Sequence, residues 1–393
     1  MQSRSEQHHG ERDTEQTLGA SPAVKRRVVR MWTEAGIAAI KALPVILMVF
    51  SLAGILGWVE RKGSALIQDR IGANRASIFG FAGAGLVNTL FADPLKFLTK
   101  EDIIPLRADR LLHTLAPCVS LFPVLVTFAV IPFGDVLQVG GRTINLQVAP
   151  LGIGVLYVLA MASLAVYGVV LGGWASNDRF SLMGSIRGSA QMVSYEIGMG
   201  LSLVSMVMTY GSLDLQEMVR AQGALIGGWI PAWGILYQPV AFLLFLCAGI
   251  AESKRVPFDL PEAESELVSG YFTEYSGIKH LMFFMTDFVE VTVVAALVTT
   301  IFFGGWQLPY LGRDGFHFPW GASLMLPQVI VAVLQVLTFM AKVFFFCCFQ
   351  ILIRWSLPRF RYDQVMRLGW KGLLPIALLN VLATAVIVLA FQG

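Results

Sequence analysis

Eight long apolar runs constrain this chain more than any other feature. They lie at roughly 36–59, 111–132, 150–172, 188–210, 234–251, 278–304, 324–353 and 372–391, and each carries few charges. A helix needs about 20 predominantly apolar residues to cross the hydrocarbon core of a bilayer. Inside that core every backbone polar group must find a partner, which only helices and closed barrels achieve. A barrel would show alternating segments of about 10 residues, and nothing here alternates that way. The composition agrees: of 393 residues 56% are hydrophobic and 14% charged, and the mean hydropathy of +0.67 is outside the usual soluble range. The expected fold is all-α, a polytopic membrane protein with eight transmembrane helices.

Residues 1–30 are polar, include His8 and His9, and lack the apolar core of a cleavable signal peptide. They are expected to form a flexible tail ahead of a single membrane domain over 31–393. Cys118, Cys247, Cys347 and Cys348 all fall in predicted spans without a C-x-x-C pair, which suits packing residues. The five histidines are scattered and lack the pairing that haem or iron–sulfur ligation needs. No redox centre is expected on this chain.

Basic residues are unevenly distributed between the spans. The first connection holds eight, from Arg61 and Lys62 to Arg107 and Arg110, and the seventh holds five, from Arg354 to Lys371. The third and fifth add Arg179, Arg187, Lys254, Arg255 and Lys279, whereas the second, fourth and sixth offer one each: Arg142, Arg220 and Arg313. By the positive-inside rule the odd connections, about 60–110, 173–187, 252–277 and 354–371, are cytoplasmic. Lys25, Arg26, Arg27 and Arg30 before the first span oppose this orientation. Within the first connection, the stretch 76–102 is apolar on one side but carries Asp93, Pro94, Lys96 and Lys100. It reads either as an interfacial amphipathic helix or as a loop helix packed on protein.

Three stretches carry chemistry. The fifth connection, "VPFDLPEAESELVSGYFTEY", gathers Asp259, Glu262, Glu264, Glu266 and Glu274. Asp259 and Glu262 have capping-box spacing with Pro261 in the first turn, which predicts a helix start there. Acidic residues at a helix N-terminus need no functional explanation, but that covers only two of the five. Crowded, partly dehydrated carboxylates have raised pKa values and can exchange protons near neutral pH. From spacing alone a solvated acidic loop is the favoured reading, and proton exchange the alternative. The second stretch ends the first span in Glu60, Arg61 and Lys62, followed by Gln68 and Arg70. Basic residues at a span end commonly snorkel to the interface; Glu60 sits on the apolar side of the basic pair, and from spacing alone a plain helix-end ion pair is the reading to expect. The third set is Glu196, Asp287, Glu290 and Lys342, ionisable residues inside spans. Each costs ~2.5–3.5 kcal/mol at the bilayer centre, so each should face the bundle interior and have a partner. Asp287 and Glu290 are three apart on one helix face and are expected to hold a proton between them.

These residues sit in motifs that closely resemble the H subunits of bacterial NADH-quinone oxidoreductase, a family whose mitochondrial counterpart is complex I subunit 1. The motifs include "ERK" at 60–62, "QDRIGANR" at 68–75, "FADPLKFLTKEDIIP" at 91–105, "AQMVSYE" at 190–196, "PFDLPEAESELVSGYFTEYSG" at 257–277, "FFGGW" at 302–306 and "LPRFRYDQVMRLGWKGLLP" at 357–375. The resemblance implies an eight-span subunit of the bacterial cytoplasmic membrane that forms the membrane side of a quinone chamber and couples quinone reduction to proton translocation. Its quinone-entrance positions fall on Glu60, Arg61 and Lys62, with Gln68 and Arg70 nearby. An acidic funnel falls on Asp259, Glu262, Glu264, Glu266 and Glu274, and a buried proton path on Glu196 and Asp287, to which Glu290 and Lys342 are added here. Quinone is implied as substrate. Flavin and iron–sulfur clusters are implied on partner chains, which include hydrophilic quinone-site subunits and antiporter-like membrane subunits.

Three departures stand out. Ala73 replaces a usual Pro, Asp287–Phe288 replaces Glu–Tyr, and Glu290 occupies a position associated with uncharged residues. The related membrane anchor of a membrane-bound hydrogenase is the nearest competing reading. A stand-alone secondary transporter, suggested by the buried charges alone, is the other; it would hold its charges between broken helices without one large charged face.

Overall fold

The structure is a computed structural model. It describes residues 22–392 apart from short stretches at 73–76, 79–80, 83–84, 140–141, 263, 318 and 320–322. Residues 1–21 of the expected tail, and Ala73, lie outside the described residues.

Two compact units divide the chain, 1–45 and 46–393. The described part of the first belongs to helix α1, Pro22–Ile67, so the last residues of the polar tail are helical. The second contains α2 (Arg110–Thr127), α3 (Gly154–Ala175), α4 (Arg179–Tyr210), α5 (Pro239–Glu252), α6 (Gly277–Phe302), α7 (Gln328–Ser356) and α8 (Leu374–Gln392). Helix α8 continues a helical stretch that starts at Tyr362 and includes a π turn at Leu368–Leu373. Among the described residues seven of these helices are long and apolar enough to cross a membrane, and the fifth is shorter, at 14 residues. A short helix at Gly234–Tyr237 precedes it, which is why the sequence reads as one continuous apolar run there.

Capping explains where the helices begin and end. The Asp109 side chain accepts hydrogen bonds from the Leu111 and Leu112 amides at the start of α2. Asp178 accepts from Phe180 and Ser181 at the start of α4, which satisfies N–H groups that have no partner within the helix. This cap starts α4 nine residues before its apolar run, so most of the expected third loop is helical. Gly211 ends α4 in the left-handed conformation, φ +69°, where a side chain would be strained.

Helix α6 is the centre of the second unit. It packs on α2, α5 and α7, while α4 packs on α3, α5 and α8. The most apolar window of α6 is 72% buried, against 11% for that of Tyr362–Ala390. An ionisable residue on α6 therefore meets protein in most directions.

The fifth connection departs from the expected helix cap. Asp259 lies in irregular backbone and Glu262 in a turn, and the helix that follows is only Glu264–Leu267. Glu262 and Glu266 therefore do not share a helix face. Tertiary partners instead hold this segment by its backbone carbonyls. Gln191 Nε2 donates to the carbonyls of Ala251 and Phe258, Arg359 donates to the Asp259 carbonyl, and the Phe360 amide donates to the Pro257 carbonyl. The loop is pressed against α4: a Cβ at Gly184, or at Gly270 with φ +61°, would overlap the Pro261 carbonyl oxygen. At the opposite ends of the helices are short antiparallel hairpins. One pairs Val136–Val139 with Arg142–Asn145, Val136 facing Asn145.

In the first connection, Asp93–Thr99 is helical with Pro94 in its first turn, so the proline starts this segment and does not break it. A π turn, Asn88–Ala92, leads into it. Phe91, Leu95 and Leu98 are exposed, the pattern of an amphipathic helix.

Candidate functional site

The site begins where α5 ends, at Glu252, Ser253, Lys254 and Arg255. Lys254 takes a positive φ of +55°, and its side chain is completely buried. Its Nζ lies 3.2 Å from Asp287 Oδ1 and 3.2 Å from Glu290 Oε1, one turn apart on α6. The Tyr271 ring lies beside it, 5.7 Å from Nζ to centroid. An ammonium group from another element thus lies within reach of both Asp287 and Glu290, where the sequence suggested only a shared proton. Burial opposes the charge on Lys254, but Glu290, Tyr271 and Asp287 together hold its pKa well above the usual lysine value. An ion pair this deep depends on good geometry, because both partners have lost their water.

Arg255 extends the chain of charges towards α1. Its Nη1 lies 2.7 Å from Glu60 Oε2, and the other oxygen of Glu60 lies 2.6 Å from Arg354 Nη1. The Arg255 guanidinium sits 4.0 Å from the centre of the Phe288 ring, a favourable cation–π distance. Glu262 keeps some surface exposure but is packed among these groups. Burial, then the charges of Asp287 and Asp259, push its pKa well above the carboxylate range, with Arg255 and Arg354 opposing. Tyr271 is fully buried, and its hydroxyl has no hydrogen-bond partner among the described residues.

A pocket of about 400 Å³ opens beside this chain of charges. Its walls come from the end of α1, the segment 89–97, the start of α6 and the end of α7, and include Phe97, His280, Phe284, Phe288 and Trp355. Its polar groups include Glu60, Arg61, Asp93 and Arg354. Arg61 is held by Asp93 at 2.7 Å and donates to Thr89 at 3.3 Å. Glu60 and Arg354 therefore belong both to the pocket wall and to the buried chain of charges.

Behind Lys254 is a smaller cavity of about 40 Å³, lined by Glu252, Ser253, Glu290 and Thr127 among apolar residues of α3 and α4, including Met192 and Met199. That volume admits a water molecule where polar partners are present. Glu290 Oε2 has no hydrogen-bond partner among the described residues. Glu196, on α4 between those two methionines, accepts a short hydrogen bond from Ser163. The charges of Glu290 and Glu196 both act on Glu252.

The remaining sequence candidates are dispersed. Lys62, Gln68 and Arg70 do not line the pocket; Gln68 and Arg70 are exposed, and Arg70 donates to Gln68 at 2.8 Å. Glu266 is exposed and pairs with Arg187 at 2.6 Å. Glu274 is half-buried beside Tyr275, and the side chain of Glu264 lies outside the described residues. Lys342 lies at the other end of α6, where its Nζ donates to the carbonyls of Phe303, Gly305 and Gln307. It does not meet Glu196, Asp287 or Glu290. Sequence reasoning missed Glu252, Lys254, Arg255, Tyr271 and Arg354. The signal for the first three was "AESKR", four polar residues joined directly to an apolar run and followed at once by the buried "VPFDLP" segment.

Fold and site together define a polytopic helical membrane protein with an aromatic-walled pocket at its helix ends, coupled to a buried chain of alternating charges. The NADH dehydrogenase family profile matches residues 40–385. The chain is 43% identical over 351 residues to the NADH-quinone oxidoreductase H subunit 1 of Cytophaga hutchinsonii, covering 88% of this chain and 96% of that protein. It is 48% identical to the H subunit 1 of Geobacter metallireducens (86% and 93% covered) and 45% identical to the H subunit of Thermomicrobium roseum (86% and 92%). The chain belongs to the NADH dehydrogenase family, among the H subunits of NADH-quinone oxidoreductase.

Proposed function

We propose that the chain forms the membrane side of the quinone-binding chamber of a proton-translocating NADH-quinone oxidoreductase and couples quinone reduction to proton movement. The observation that carries this reading is that Glu60 and Arg354 line the pocket and pair with each other, while Glu60 also pairs with Arg255. Whatever charge develops in the pocket is then felt by Arg255, next in sequence to Lys254.

Reducing a quinone to a quinol takes two electrons and two protons, so charge appears before protons arrive. A negative charge near Arg61, Arg354 and Arg255 competes with Glu60 for the same cations. If Arg255 swings towards it, Glu262 loses an opposing charge and favours its protonated form. Lys254 can in turn shift its balance between Asp287 and Glu290, and a proton on Glu290 can pass to Glu252 across the small cavity. Glu196 stands beyond it as the next carboxylate. This chain's part is to bind, orient and relay charge; flavin and iron–sulfur clusters reside on partner subunits, and the quinone is the substrate.

In this reading eight helices span the cytoplasmic membrane, α5 together with Gly234–Tyr237 being one of them, and the segment 85–99 lies in the interface. The basic odd connections face the cytoplasm, where the hydrophilic subunits dock, and antiporter-like subunits pack against the sparsely buried helices. The test is Glu290→Gln and Glu196→Gln in the assembled complex. Quinone-coupled turnover should fall while NADH oxidation by an artificial electron acceptor stays intact. Full turnover and full proton pumping in both variants would refute the relay.

A further inference from the structure

The motif "FFGGW" and the second-connection hairpin have no part in the relay, yet they meet at the far ends of the helices. There a second pocket, about 470 Å³, is lined by Asp135, Arg220, Arg313, Trp233 and Trp306. Asp135 precedes the hairpin, and its side chain is only 6% exposed. One oxygen pairs with Arg220 at 2.8 Å and the other with Arg313 Nε at 2.9 Å. Burial would raise the Asp135 pKa, but the hydrogen bonds and charges of Arg220 and Arg313 outweigh it and hold the carboxyl below its usual range.

One carboxylate thus fixes two guanidinium groups, leaving the cluster with one net positive charge. The two arginines keep 42% and 66% of their side chains exposed, so N–H donors remain at the pocket mouth. Trp306 is 5% exposed, lines the pocket, and its indole N–H has no acceptor among the described residues. A buried donor without an acceptor is costly, and here it belongs to a residue that lines the same pocket as two fixed cations. The three groups together ask for an oxyanion. The adjoining hairpin, Leu225–Ile226 with Ile230–Pro231, exposes Ile226, Trp229 and Ile230. That apolar rim suits acyl chains, and tryptophan at the level of the head groups is characteristic of membrane proteins.

We propose that this pocket binds the phosphodiester head of an anionic membrane lipid, with Arg220, Arg313 and Trp306 as donors and the Ile226–Ile230 hairpin against its chains. The site lies at the opposite end of α6 from the quinone pocket and does not depend on the relay.

The test uses the assembled complex in phosphatidylcholine nanodiscs containing photoactivatable phosphatidylglycerol, with the labelled peptides mapped by mass spectrometry. Labelling should concentrate in 225–233 and 303–313. It should fall about tenfold in Arg313→Gln, the loss of one charged hydrogen bond, and severalfold in Trp306→Phe, which keeps an aromatic ring and removes the donor. Arg313→Gln leaves Asp135 paired with Arg220, so the fold should persist; thermal stability of the variant complexes checks this. Equal labelling by photoactivatable phosphatidylcholine, or labelling unchanged in both variants, overturns the proposal. It is also overturned if inorganic phosphate protects Arg220 and Arg313 from phenylglyoxal while no lipid labels the site, or if these peptides crosslink to a neighbouring subunit in place of lipid.

Discussion

Lys254 and Lys342 lie at opposite ends of α6, in contrasting company. Lys254 is completely buried between two carboxylates, Asp287 and Glu290. Lys342 donates to three backbone carbonyls at the C-terminal end of α6 and lies 5.0 Å from the Trp233 ring. Carbonyls and an indole ring do not titrate, so the partners of Lys342 keep one charge state and the residue completes the end of a helix. Carboxylates do titrate, so the partners of Lys254 can change their charge and redistribute it. The residues are the same type; what makes one a candidate relay element and the other a fastening is the chemistry of their partners.

Removing each ammonium would sharpen this contrast. Lys254→Met leaves two buried carboxylates facing one another and should cost roughly 3–5 kcal/mol, seen as poor assembly and a lowered Tm of the complex. Adding Asp287→Asn and Glu290→Gln should restore most of the stability without restoring coupled turnover. A triple variant that pumps normally would break the comparison. Lys342→Met should cost less, about 1–3 kcal/mol for carbonyls left without donors, and should leave the pH profile of turnover unchanged. If it shifts that profile as Glu290→Gln does, Lys342 belongs to the relay after all.

Glu262 provides a pH test. Its pKa in the folded protein is raised well above the ordinary value, chiefly by burial, so the protonated form is favoured on folding. That contribution is fully present below the unfolded pKa and is lost as pH rises through the folded value. Glu262→Gln should therefore flatten the fall in Tm on the alkaline side and change it little in acid; the measurement is Tm against pH for both forms. The smallest effect is expected at Arg61, which is 53% exposed where it pairs with Asp93. Arg61→Lys keeps the charge but loses the planar fork, and at this exposure should raise the apparent quinone KM by well under tenfold, with kcat unchanged in steady-state assays.

The sequence made the helices legible because spanning a bilayer leaves little freedom in length or composition. Asp287 and Glu290 were legible for a related reason, since a charge inside an apolar run demands a partner, whereas the spacing at Glu60 read as a plain helix-end ion pair. The partners themselves were not. Lys254 and Arg255 looked like ordinary basic loop residues, and only the tertiary fold turns them inward. Asp259 and Glu262 read as a helix cap because local spacing is blind to Gln191, Arg359 and Phe360, which take up the loop's backbone groups from a distance. Lys342 was grouped with the acidic path because sequence position does not say which end of the bundle a span residue occupies.

The most direct test of the central claim is infrared difference spectroscopy of the assembled complex as its bound quinone is reduced. A carboxylic acid C=O band should appear or shift on reduction in the wild type, and that band should be absent in Glu290→Gln and altered in Glu262→Gln. An identical difference spectrum in the wild type and both variants would show that these carboxylates keep their protonation during turnover, contradicting the relay.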